Sequence, residues 1–255
     1  MSEEFIPQGI VIFGRGIEKI TLYDNTKNPK ERWAPTRLIE QADTNGKHAG
    51  KRHIDINPDD ASAFFAGSNA NVLAAYYLFK KYKQQGNQPE VIIFAAGRPD
   101  YLIPYPEVTE GEILARKFLK KLGYSADAKF QNIDGYQSAK TNNLEIIIED
   151  KNKKTRDDII NTLELAHKRE IEDLAIITVK IHIPRSYLML QTIISRHSEF
   201  DSLNIRFFSS DEILSGINSL FRQCFERAYN SVYYQRTSAK EINGINALIN
   251  KTYEF

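Results

Sequence analysis

Apolar residues along this 255-residue chain fall into two patterns that take turns. Short unbroken runs occur at Gly9 to Phe13, Val91 to Ala95, Asn143 to Glu149, Leu174 to Val179 and Ile205 to Phe208. They have strand length and little polar alternation, as expected of strands buried on both faces. Between them, apolar residues recur three and four apart, the period of a helix packed by one side. Asn69 to Lys83 carries Val72, Leu73, Tyr76, Tyr77 and Phe79, and Gly86 ends it. Thr109 with Glu112 three residues on is a capping-box pattern that opens a helix through Leu122, stopped by Gly123. Thr155 with Asp158 opens another, where Ile159, Leu163 and Ala166 share a face, and Pro184 to about Arg196 reads as a further helix. Beyond Ser209 the pattern is helical throughout. Ile213, Ile217, Leu220, Cys224 and Ala228 form one face, and Ile242, Ile245 and Ile249 another.

This alternation predicts an α/β, Rossmann-like three-layer fold with a mainly parallel sheet of about five strands. The expected organisation is one domain over residues 1–210 and a C-terminal helical extension over 211–255 packed on it. Two segments interrupt the rhythm. Residues 24–60 are polar, contain Pro29, Pro35, Pro58, Gly46 and Gly50, and read as a functional flap or a partly mobile connection. Residues 127–141 read as an addition.

Composition narrows the setting. Thirty-four Lys and Arg against 33 Asp and Glu give a net charge of +1, with no global pull toward nucleic acid or an anionic membrane. The apolar runs fall far short of the ~20 residues needed to cross a bilayer, and the acidic start Met1-Ser2-Glu3-Glu4 is unlike a secretory signal. The single cysteine, Cys224, rules out an internal disulfide and sits at core-facing helical spacing. A soluble, cytoplasmic protein is expected. The Tyr-rich end (Tyr229, Tyr233, Tyr234, Tyr253) suits either internal packing or an oligomer contact, so the oligomeric state stays open.

Candidate chemistry gathers where strands give way to turns. Gly14-Arg15-Gly16 after the first run is either a plain tight turn or an anion-binding loop whose backbone approaches a phosphate. It is not a full dinucleotide fingerprint, because Lys19 stands at the third glycine position. Gly97 follows the second run. Thr155 and Asp158 can cap a helix or face a ligand, and Glu110 in a helix first turn can act through the helix dipole alone. After the run ending at Val179 come His182, Pro184 and Arg185. A histidine there can switch protonation near neutral pH. An arginine near a helix start needs a compensating anion, either a carboxylate or a ligand phosphate. The other histidines (His48, His53, His167, His197) show no metal-ligand spacing, though Mg²⁺ held by Glu110, Glu149 or Asp157 stays open.

Five segments in order resemble the YdcF/SanA/ElyC-like family, a widespread domain of unknown function with a Rossmann-like sheet. They are Ile10 to Gly16, Ala95-Ala96-Gly97, Thr109-Glu110-Gly111, Glu149 to Asp158, and Thr178 to Arg185, the last similar to the family's Thr-Ser-x-x-His-x-x-Arg. The chain departs from the family at Lys154, at Asp157 and Asp158, and at Val179-Lys180. Members with an N-terminal membrane helix act in envelope biology, and this chain looks like the soluble branch. The resemblance implies a cleft at the carboxyl ends of the strands that binds a small anionic or nucleoside-type ligand, such as an S-adenosylmethionine-like molecule. In that reading Gly14, Gly16 and Gly97 offer backbone N–H groups. Glu110, Thr155 and Asp157 bind polar ligand groups, Arg185 neutralises anionic charge, and His182 donates a hydrogen bond or transfers a proton. Two rivals remain: a hydrolase of phosphate esters or anhydrides, with Glu110 or Asp157 on a metal and His182 as general acid, and a non-catalytic interaction protein.

Overall fold

A computed structural model describes residues 4–22, 30–36, 67–97, 102–124, 129–141, 143–151 and 154–253. All five apolar runs are strands: β1 (Gly9–Phe13), β4 (Val91–Ala95), β7 (Leu144–Glu149), β8 (Asp173–Thr178) and β9 (Asn204–Ser209). They lie parallel in the order β7-β4-β1-β8-β9. The chain thus steps outward from β1 in one direction, then returns and fills the other side. The reversal falls between β1 and β8, where a doubly wound sheet opens a crevice beyond its strand ends.

Alternate side chains of each strand feed two separate cores. On one face Ile10, Ile12, Ile92, Phe94, Ile146 and Ile148 meet helices α1 (Ser68–Gln84) and α2 (Glu110–Lys121). On the other, Val11, Phe13, Ile93, Ile147 and Ile176 meet α3 (Thr155–Lys168) and α4 (Ile183–Ile194). Burial on both faces is why these strands carry continuous apolar runs. The helix extension divides into α5 (Ser210–Ile217), α6 (Ser219–Tyr229) and α7 (Val232–Ile249). Leu214, Phe225 and Ala228 of α5 and α6 join the first core. Helix α7 reaches both: Tyr234 packs against the first core and Leu248 belongs to the second. It therefore crosses the carboxyl end of the sheet like a bar, about 27 Å long for 18 residues at 1.5 Å each.

The α/β, Rossmann-like architecture with its five parallel strands is as expected, and finer points differ. The sheet has seven strands, because β5 (Gln131–Ile133) and β6 (Tyr136–Thr141) add an antiparallel pair to the edge at β7. Part of the segment read as an addition is thus sheet. A second hairpin, β2 (Ile17–Leu22) with β3 (Lys30–Pro35), stands apart from the main sheet where no strand was expected. Around it Ile17, Leu102 and Val108 form a small core with Trp33 and Tyr105. Within the long polar segment, residues 24–29 and 37–60 lie outside the described residues, as do His48 and His53. Thr109 caps α2 as expected, accepting from the Glu112 N–H at 3.3 Å. Thr155 does not cap α3: it is the first helical residue, Lys154 is the cap, and no side-chain bond closes that end. The face Ile242/Ile249 points outward, at 55% and 63% exposure, and so do Ile217 and Leu220. On α7 the inward face is Thr237, Glu241 and Leu248. Cys224 is partly buried against the first core.

Candidate functional site

Beyond Phe13 the chain turns through Gly14, Arg15 and Gly16. Gly16 has φ of 101°, a backbone conformation open to glycine at little steric cost. Every amide of this turn is engaged. Gly14 N–H donates to the Ala95 carbonyl of β4 at 3.0 Å. Arg15 N–H donates to Ser68 Oγ at the start of α1, and Gly16 N–H to Glu110 Oε1 at the start of α2, each at 2.6 Å. Ser68 Oγ donates to the same Glu110 oxygen at 2.7 Å. The protein's own carboxylate thus fills the anion position that the glycines were expected to offer a ligand. Burial pushes the Glu110 carboxyl above its ordinary value, against the opposing pull of the Ser68 and Gly16 bonds.

On the far side of the crevice, β8 leads through a 3₁₀ turn (Lys180–His182) into α4. Pro184 lies in the first turn of that helix, where its missing N–H has no partner to lose. His182 is the residue at the helix start and is buried, with Nδ1 at 3.1 Å from both carboxylate oxygens of Glu241 on α7. Arg185 Nε donates to Glu241 Oε2 at 2.6 Å, and Arg15 Nη1 approaches Oε1 at 3.6 Å. The anion that Arg185 requires is therefore Glu241. With Nδ1 against a carboxylate, the proton of neutral His182 is assigned to Nδ1, leaving the lone pair on Nε2. Burial, then the Arg15 charge, push the imidazole down to about 4 despite Glu241, so it is uncharged at neutral pH. Burial alone would raise the Glu241 carboxyl. The His182 bond and the Arg15 and Arg185 charges outweigh it and hold the group well below the carboxylate range.

Beyond β4, two strands from β1, the carboxyl edge of the sheet is acidic. Glu149 ends β7 fully buried and accepts from Asn161 Nδ2 at 3.0 Å and the Lys151 N–H at 3.3 Å. In the first turns of α3, Asp157 is paired with Arg156. Asp158 beside it is raised well above its ordinary value by burial and by the Glu149, Glu110 and Asp157 charges. Asp158 Oδ1 is buried with no hydrogen-bond partner. Among the described residues no group of three or more His, Cys, Asp or Glu is placed to hold a metal ion.

Of the expected site residues, Gly14, Gly16, Glu110, His182 and Arg185 converge where β1 and β8 end. Thr155 and Asp157 belong to the acidic edge at β7 and α3, apart from that point. Gly97 lies two residues beyond β4, and the rest of its turn, residues 98–100, lies outside the described residues. His167 and His197 sit elsewhere, around Phe200. Two participants were not anticipated. Arg15 stood unnoticed between its glycines. Glu241 lies on a helix read by its isoleucine face, although a carboxylate in line with Thr237 and Leu248 was a readable signal. Beside Glu241 a groove of about 420 Å³ runs between the 3₁₀ turn and the C-terminal helices, lined by Ile181, Pro184, Tyr229, Tyr234 and Ile245. Of these lining residues, Tyr229 donates to Asp211.

Fold and crevice define a Rossmann-like α/β protein with a polar centre at its topological switch point. The chain matches no protein-family model, no curated protein and no solved structure. Among the described residues no helix is long and apolar enough to cross a membrane.

Proposed function

We propose that the protein binds a small anionic or nucleoside-type ligand in the crevice between the ends of β1 and β8. One observation carries this reading: two guanidinium groups and an imidazole, supplied by the two strand ends that flank the switch point, converge there on a single carboxylate. A doubly wound sheet binds ligands at that position, and the adjoining groove of about 420 Å³ suits a nucleoside-sized body. Arg185, at 20% side-chain exposure, contributes the charge nearest to solvent. Neutral His182 serves as acceptor or proton carrier through Nε2. Glu110 shapes the β1 turn, while Thr155 and Asp157 supply polar groups from α3. The YdcF-like resemblance, with its S-adenosylmethionine-like ligand and cytoplasmic setting, belongs to this same reading.

The test is calorimetry and thermal shift with adenosine monophosphate, S-adenosylmethionine and inorganic phosphate. Wild-type protein should bind at least one of them. Arg185→Ala should weaken that binding at least about tenfold, the scale of a lost charge-assisted bond. Binding of none, or unchanged affinity in the variant, would overturn the proposal.

A further inference from the structure

Glu241 does in this conformation what a ligand anion would do. Its two oxygens receive the His182 and Arg185 bonds and face Arg15 at 3.6 Å, and the residue is 5% exposed. It comes from neither strand end of the crevice but from α7, the bar laid across the sheet. Its described apolar anchors stand toward its two ends, Tyr234 against the first core and Leu248 in the second. Of its described side chains only Thr237, Glu241 and Leu248 are buried, a single apolar residue among them. The seam beneath it is also poorly matched, with the buried Thr237 Oγ1 on α7 and the buried Ser186 Oγ on α4 lacking hydrogen-bond partners. Close approach is secured at Gly244, where a Cβ would meet Arg185 Cδ at 2.5 Å. A ligand that replaces the charged contact at the middle of this helix removes the largest polar tie between α7 and the crevice.

We infer that Arg15, His182 and Arg185 form an oxyanion site, and that Glu241 is an internal stand-in which a phosphate or carboxylate group of a ligand displaces, lifting α7 from the crevice. This rests on the proposed ligand site and adds to it a gate and a ligand chemistry. An incoming oxyanion takes over the three donors that Glu241 gives up, so the cations are never left without a counter-charge. The groove beside Glu241 then holds the remainder of the ligand.

The deciding experiment compares inorganic phosphate binding to wild-type protein, Glu241→Gln and Gly244→Ala by calorimetry and melting temperature. Removing the competing charge in Glu241→Gln should tighten phosphate binding at least about tenfold, as expected for one unit charge a few ångström from the anion. Phosphate should also restore the melting temperature of that variant, whereas sodium chloride at equal ionic strength should not. Gly244→Ala keeps the carboxylate but crowds Arg185, so it should tighten binding by a smaller factor, and it serves if Glu241→Gln fails to fold. Phosphate affinity equal to wild type in the folded variants would overturn the inference. Nucleoside binding by wild-type protein would then still uphold the ligand site. A phosphate gain in Glu241→Gln with no probe bound by wild type would instead uphold the masked oxyanion site and overturn the open ligand crevice.

Discussion

Two stretches of the sheet's carboxyl edge solve the same electrostatic problem in opposite ways. At β1 and β8, ionised groups are buried against ionised groups of the other sign: Arg15 and Arg185 face Glu241, with His182 kept neutral between them. At β7 and α3, Glu149 and Asp158 are neighbours of the same sign. There Glu149 is satisfied by an amide and a backbone N–H, and Asp158 relieves the repulsion by holding its proton to higher pH. Opposite charges lock a geometry and make every member indispensable. Like charges leave a group that protonation can neutralise. The first stretch should therefore be brittle to mutation and lose stability in acid, whereas the second should lose stability as pH rises.

The largest contrast comes from removing the shared counter-charge. Glu241→Ala leaves two guanidiniums beside a buried imidazole and should cost about 3–5 kcal/mol, measured by urea denaturation at pH 7. A loss below about 1 kcal/mol would mean that water already compensates both arginines.

Acid should separate the two stretches next. His182 has a folded value depressed to about 4, against about 6.5 in the unfolded chain. Between these values the unfolded chain binds a proton that the folded one refuses. Stability from this group is complete above about pH 6.5 and falls as pH drops toward about 4. His182→Asn should flatten that part of a denaturation-midpoint profile; an unaltered slope would show that another group causes it.

The smallest effect has the reverse sign. Asp158 has a raised folded value, so the folded state keeps a proton that the unfolded state releases, and stability falls as pH rises above about 4. Asp158→Asn should gain about 1 kcal/mol at pH 7, with the gain vanishing near pH 4. A loss at pH 7 would show that the ionised carboxylate is needed where it stands.

The parallel sheet was legible because burial on both faces leaves no polar position in Ile10 to Phe13, Val91 to Ala95 or Ala175 to Ile177. The hairpin of β2 and β3 was not, since a ribbon apart from the main core needs few apolar residues, and Pro35 argued against a strand. His182 and Arg185 were found as strand-end residues. Their partner was not, because helical periodicity was judged by isoleucines that face outward. Composition along one helix says which residues share a side. It does not say which side meets the protein when that contact is polar. The glycine turn failed differently: its anion is Glu110, distant in sequence and supplied by a helix whose first turn looked like ordinary capping.

The Arg15 to Glu241 contact also constrains how the chain reaches its native state. It joins the turn after β1 to the last helix, nearly the whole chain apart, so its closure waits on the elements between. During synthesis the sheet can order around β1 and β8 while Glu241 has still to emerge, and the cationic centre then stands without its carboxylate. Docking of α7, which brings Glu241 to that centre, therefore comes after the sheet that it covers.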